Sequence, residues 1–267
     1  MKKIVIAAGA LFIGLLANAQ QTEGKVTYER VTTLEARFNI NGVEQVVPQT
    51  RKENFELNFA NNQSLWKAAE QEAEDDGVQG DQGGVQIRMV VAGSNDVMYT
   101  NFDTREKIEK REMFDKNFII DDSIRPLKWK MTGEKKTILN HNCMQAIATQ
   151  IRQSTRMTMN DGKMERKDVT DTLTVIAWFT SDIPVQAGPG EYQGQLPGLI
   201  LEMDVNNGRQ TFKATGIEPK ADVAAIKEPT GKKHLTPDEF KKERDKMMKE
   251  MQENMQNGNG HRQIRIN

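Results

Sequence analysis

His141 and Cys143 stand two apart in an alternating, strand-like stretch, which puts an imidazole and a thiol on one side of the chain. That soft pair suits zinc or copper. Thioethers offer related chemistry: Met157-x-Met159 and Met248-x-x-Met251 have spacings that suit copper(I), in a chain with 14 methionines. Two neighbours do not complete a coordination sphere, however, and methionine is also the adaptable filler of apolar faces. A buried strand cysteine and a packing stripe of methionines are therefore the preferred readings, with no metal and no cofactor assigned. Asp75, Asp76 and Asp81 lack the regular acidic positions and closing glutamate of a calcium loop.

Covalent hydrolysis needs a nucleophile beside a base, and the three histidines are His141, His234 and His261. The chain contains no Gly-x-Ser-x-Gly elbow, no His-Glu-x-x-His zinc motif and no phosphate-cradling Gly-x-x-x-x-Gly-Lys loop. The expectation is a protein that is not an enzyme, with no catalytic residue. A net charge of −1 and an aromatic content of 6% also argue against nucleic acid, which is held by surplus Lys and Arg and by stacking platforms.

The elements that must position these residues read mostly as strands. Apolar side chains recur at every second position in Lys25–Val31 and Glu53–Phe59. Further strands are expected at Val85–Val91, Val97–Phe102, Ile108–Met113, Pro126–Met131, Thr137–Ile151, Leu173–Phe179, Leu199–Val205 and Gln210–Ile217. Asn206-Asn207-Gly208 and Asn160-Asp161-Gly162 read as hairpin turns, because Asn and Gly tolerate positive φ. Roughly ten strands with short turns and no intervening helices imply an antiparallel sheet.

Lys2 and Lys3, the apolar run Ile4–Leu16 and Ala17-Asn18-Ala19 follow the order of a signal peptide, here residues 1–19 with cleavage after Ala19. The expected location is exported, periplasmic or outer-membrane-associated. Residues 20–235 form the β-rich domain, interrupted by an acidic, glycine-rich loop at 68–84. With Cys143 as the single cysteine, no disulfide forms within the chain. Thr236-Pro237-Asp238-Glu239 is a capping box with Pro at the first helical position, opening an amphipathic helix over 236–256. Phe240, Met247, Met248, Met251 and Met255 share one face of it. Residues 257–267 are expected to be a disordered tail.

The most distinctive stretch runs Trp178-Phe179-Thr180-Ser181-Asp182-Ile183-Pro184, then Gly188-Pro189-Gly190, then Gly194-Gln195-Leu196-Pro197-Gly198-Leu199-Ile200-Leu201. It describes a strand that ends at a proline, a Gly/Pro loop and a Pro-Gly turn of type II character feeding a second strand. The stretch resembles the signature of the GLPGLI family of exported Bacteroidota-type proteins, with Gln195 where the first glycine is usual. The motif residues are Trp178, Asp182, Pro184, Gly188, Pro189, Leu196, Pro197, Gly198, Leu199 and Ile200. Cys143 followed by Ala146 also looks like the family pattern. The resemblance implies a signal peptide and a β-rich exported domain, without established catalytic residues, and by association an outer-membrane β-barrel receptor as partner.

The fold expected is mainly β, a curved antiparallel sheet or half-open barrel similar to the periplasmic lipoprotein-carrier fold, with the C-terminal helix covering apolar sheet surface. An exposed concave apolar face would then receive an acyl chain or a partner segment. The functional expectation is a non-enzymatic cell-envelope binding or carrier module. The alternative is periplasmic binding of copper(I) or another metal through methionines and Cys143.

Overall fold

The computed structural model describes residues 21–40, 43–69, 96–114, 116–160 and 163–256. Expectations for the signal peptide, the strand at Val85–Val91, most of the acidic loop, the turn at Asp161-Gly162 and the 257–267 tail lie outside them. Ala68, assigned to that loop, closes a strand instead.

The strands are β1 (Gly24–Ile40), β2 (Val43–Ala60), β3 (Gln63–Ala68), β4 (Val97–Asn101), β5 (Glu106–Met113), β6 (Lys116–Ser123), β7 (Lys130–Ile138), β8 (His141–Asn160), β9 (Lys163–Thr180), β10 (Leu199–Val205), β11 (Gln210–Glu218) and β12 (His234–Leu235). They form one sheet in the order β12-β6-β5-β4-β3-β2-β1-β11-β10-β9-β8-β7. Every pairing is antiparallel except the short parallel contact of β12 with β6. The end strands β7 and β12 do not pair, so the sheet is open, and of the two expected forms the unclosed one is found.

Turn chemistry explains the register. Asn61-Asn62 and Leu139-Asn140 are two-residue loops with positive φ at both positions, the type I′ geometry whose twist matches a hairpin. Asn206-Asn207-Gly208 turns β10 into β11 as expected, again with positive φ. The Leu139-Asn140 turn divides the expected Thr137–Ile151 strand into β7 and β8. Leucine is a rare residue at φ 47°, which is why the turn escaped the sequence pattern. Of the expected strand Pro126–Met131 only Lys130 and Met131 are extended, since Pro126 has no N–H for a ladder and β7 begins at Lys130.

Two clusters share one face of the sheet. The larger gathers Val26, Tyr28, Phe55, Leu57, Phe59 and Trp66 with Val175, Ala177, Phe179 and Met203. Trp66 stacks on Phe55 at a centroid distance of 4.8 Å. The smaller lies at the β6/β12 edge, where Phe118, Ile120 and Leu235 meet Phe240 and Met247 of helix α1 (Pro237–Gln256). The cross-strand row Trp66, Met98, Glu109, Ile120, Leu235 joins the two. On the opposite face, Ala60, Leu65 and Tyr99 are covered by Ile226 of the connection to β12.

Helix α1 starts as its sequence requires. The Thr236 N–H donates to the Glu239 carboxylate at 2.8 Å and the Glu239 N–H donates back to the Thr236 hydroxyl at 3.3 Å.

Candidate functional site

The stretch between β9 and β10 is a strap laid over the main apolar face. From Ile183 to Ala187 alternate side chains are buried, so Ile183, Val185 and Ala187 face the sheet while Pro184 and Gln186 face outward. Tight turns keep the strap flat: Val185 N–H donates to Ile183 C=O and Ala187 N–H to Val185 C=O, each skipping one residue. Leu196 and Leu199 continue the buried side. This is where the expected exposed concave face is corrected. The chain's own apolar residues occupy it.

Polar ties, among them an Arg152–Glu191 ion pair with β8, hold the strap and the start of β10 across the width of the sheet. Tyr28 on β1 donates its hydroxyl to the Ile200 carbonyl at 2.5 Å, and burial pushes that phenol far above its ordinary range. Ser64 on β3 donates to Gln193 Oε1 at 2.5 Å, and Gln193 Nε2 donates to the Gly190 carbonyl at 3.2 Å. Tyr192 donates to Gln150 Oε1 on β8 at 3.0 Å. Gln195 makes a further tie. Its Oε1 accepts from the Leu127 N–H at 2.9 Å and Trp129 Nε1 at 3.0 Å, while Nε2 donates to the Glu191 carbonyl. It fastens the strap to the non-strand segment before β7.

The motif glycines act by close approach. Gly198 is not at positive φ, which corrects the type II expectation. A β-carbon there would meet the Thr180 carbonyl oxygen at 2.1 Å, and one at Gly188 would meet Ile200 at 2.8 Å. The positive φ angles fall at Gly190 and Gly194, where the strap reverses.

The remaining motif residues are spread over both faces. Trp178 carries the Lys136 ammonium 4.3 Å from its ring centroid, and Lys136 pairs with Glu202 at 2.7 Å. Asp182 is exposed and accepts from the Asn142 N–H at 3.1 Å, with His141 Nδ1 at 3.5 Å. Pro184 and Pro197 are exposed, whereas Gly188, Pro189, Leu196, Gly198, Leu199 and Ile200 are buried. Together they shape a corner and bring no set of acid, base and nucleophile to one point.

The metal candidates separate. Cys143 is buried in the main core, and desolvation pushes its thiol up to about 11, which disfavours a thiolate ligand. Met247 is buried, while Met248 and Met251 are 37% and 44% exposed. The side chains of Met157, Met159 and Met255 lie outside the described residues.

One cluster escaped the sequence reading. Lys107 Nζ sits 3.1 Å from Glu109 and 3.2 Å from Asp122, all three nearly buried, and Arg111 completes Glu109 at 2.6 Å. Burial alone would raise the Glu109 carboxyl, but Arg111 and Lys107 outweigh it and hold it below the ordinary range. The signal was present as Lys107-x-Glu109-x-Arg111, charges at the period of a strand face. Each charge has a partner, so the cluster seals the sheet between the two apolar clusters.

Residues 129–202, from the approach to β7 through the strap to β10, match a family described as "Protein of unknown function (Porph_ging)". No curated protein matches significantly. Among solved structures, that of PNGF-II aligns with 81% of this chain at 17% identity and a TM-score of 0.46. The chain spans about a third of its length, 32%. A likeness this slight carries no argument about activity. The matched region contains the strap, β7 to β9 and the start of β10, where the motif residues lie, while Tyr28 of β1 and Ser64 of β3, which also tie to it, fall outside.

Proposed function

We propose that this chain is a non-enzymatic binding module of the cell envelope, exported through its N-terminal segment and working beside an outer-membrane β-barrel receptor. The resemblance to the GLPGLI family supports the envelope assignment. The observation that carries the binding role is the division of the α1 apolar stripe. Phe240 and Met247 are buried on β6 and β12, whereas Met248 and Met251 remain exposed near the far end of the helix. Methionine is flexible and polarisable, and exposed methionines on a helix suit a protein partner's apolar surface. The sheet's apolar face is filled by the strap, so a protein segment is preferred over an acyl chain.

Native mass spectrometry of the protein purified from its own envelope tests this. A copurifying envelope protein lost from the Met248→Asp/Met251→Asp variant supports the reading, and an acyl-lipid adduct unaffected by the variant would replace it. The same exposed thioethers, one turn apart, favour copper(I) as the second reading. Copper(I) titration of the purified protein separates the two, because the first reading expects no tight stoichiometric binding.

A further inference from the structure

Two hairpins run far past the rest of the sheet. β1 pairs with β11 only from Lys25 to Thr32, although its ladder with β2 continues to Ile40↔Val43. β9 pairs with β10 only from Val175 to Thr180, although its ladder with β8 continues to Asn160↔Lys163. Between these arms the β10–β11 hairpin stops at its turn, where Thr33 N–H donates to Arg209 C=O and Asn206 N–H donates to Thr174 C=O. Beyond those two bonds, β1 from Leu34 and β9 up to Leu173 face each other across a slot. No described strand fills it.

The slot has a definite size. β10 and β11 separate β1 from β9 at its floor, so its width is about 14 Å, three strand spacings, which admits two strands. Its depth along Leu34–Ile40 is about 24 Å at the rise of an extended chain. Among the described residues each arm is a lone two-stranded ribbon, a form that is marginal in water without further strands.

We propose that the slot is filled by the β8–β9 arm of a second copy of this chain, each copy inserting its arm into the other. The width of one arm is the width of the slot. A two-fold axis perpendicular to the sheet gives the order β2, β1, then the partner's β8 and β9, then β9, β8, then the partner's β1 and β2. Strand directions agree throughout. β1 runs toward its tip while the inverted β8 of the other copy runs the opposite way, and the two β9 strands meet antiparallel across the axis, as an isologous interface requires. Charge also agrees. Residues 33–50 carry Arg37 against Glu35 and Glu44, one acidic residue in excess, whereas residues 149–174 carry Arg152, Arg156, Lys163, Arg166 and Lys167 against Asp161, Glu165, Asp168 and Asp171, one basic residue in excess.

Proline placement distinguishes the slot from the outer edge. Because the Thr33 N–H points into the slot side, Glu35 does too, and its cross-strand neighbour Pro48 turns its missing N–H to the outer edge of β2. Among the described residues nothing pairs with that edge of β2 along 43–53, and proline blunts it as it does natural edge strands. The slot edges, residues 33–40 and 163–174, contain no proline.

The test is the mass of the purified protein in solution by sedimentation, with variants on the slot edge of β9. The Thr174 carbonyl faces the slot, so the N–H groups of Thr172 and Thr170 do as well, and proline there leaves the β8 ladder intact. The wild type is expected to be a dimer at about 10 μM, and Thr170→Pro/Thr172→Pro to raise its dissociation constant at least about tenfold. Single cysteines introduced at 168, 170 and 172 provide a second readout, since the two β9 strands meet there and Cys143 is buried. A disulfide-linked dimer at one or more of these positions supports the exchange. A wild type that stays monomeric, a dimer indifferent to proline without cross-links, or a different protein bound in the slot would each overturn it. None of these outcomes bears on the methionine face of α1, so the two proposals stand or fall separately.

Discussion

Gly198 lies so close to the backbone of Thr180 that a β-carbon at 198 would fall 2.1 Å from the Thr180 carbonyl oxygen. The contact is between the last residue of β9 and the residue before β10, strands that pair from Leu199↔Thr180 onward. It closes the corner at the point where the strap rejoins the sheet. Gly198→Ala is expected to lower stability by about 2 kcal/mol or more, because the obstacle is backbone and cannot rotate away. Gly190→Ala, at φ 54° in open space, should cost only about 1 kcal/mol. Urea denaturation of both variants checks the order. Equal midpoints would show that the close approach relaxes freely.

Cys143 should behave as a core residue. Its thiol is raised from an ordinary value of 9.0 to about 11 by burial, so at pH 8 it is protonated and slow to react with a disulfide reagent until the protein unfolds. The sign for stability follows. Between the two values the unfolded chain releases a proton that the folded chain keeps, so stability falls as pH rises through this window. Cys143→Ala should remove that alkaline slope. A thiol that reacts in the native protein at the rate of an unfolded peptide would contradict the assignment.

How much of this was legible in the sequence depended on whether the signal was local. The capping box at Thr236 and Glu239, the Asn206-Asn207-Gly208 turn and the alternation of Lys25–Val31 are decided by neighbours, and each reappears in the fold. The Leu139-Asn140 turn was hidden because positive φ at leucine is imposed by the ladder between β7 and β8. The strap was legible as a corner from its Gly and Pro residues, but its covering of the sheet was not, since Tyr28 and Ile200 are far apart in sequence. The close approach at Gly198 was hidden for the same reason. Gln195 read as a departure from a motif until Leu127 and Trp129 were brought beside it.

The Lys107, Glu109 and Asp122 cluster is expected to contribute to the acid response. The Glu109 and Asp122 carboxyls are held below their ordinary range despite burial, chiefly through Arg111 and Lys107 for Glu109 and through the Ser123 backbone and Lys107 for Asp122. A lowered carboxyl contributes stability that is present above the unfolded value and lost as pH falls through the folded one. Glu109→Gln should therefore reduce the loss of stability below about pH 4.5 and lower stability at pH 7 by about 1–3 kcal/mol, by leaving Lys107 less well compensated. Thermal denaturation from pH 3 to pH 7 measures both. Parallel curves for variant and wild type would mean that the cluster is not linked to folding.

The exposed end of α1 is proposed to receive a protein. A photoreactive amino acid at position 251, activated in living cells, tests it most directly, because the label reports whatever rests on that residue. One discrete cross-linked envelope protein is expected, lost when Met248 is replaced by Asp, with no tight copper(I) binding by the purified wild type. A label that yields only the uncross-linked chain, together with tight copper(I) binding abolished by Met248→Leu/Met251→Leu in a stably folded protein, would contradict it.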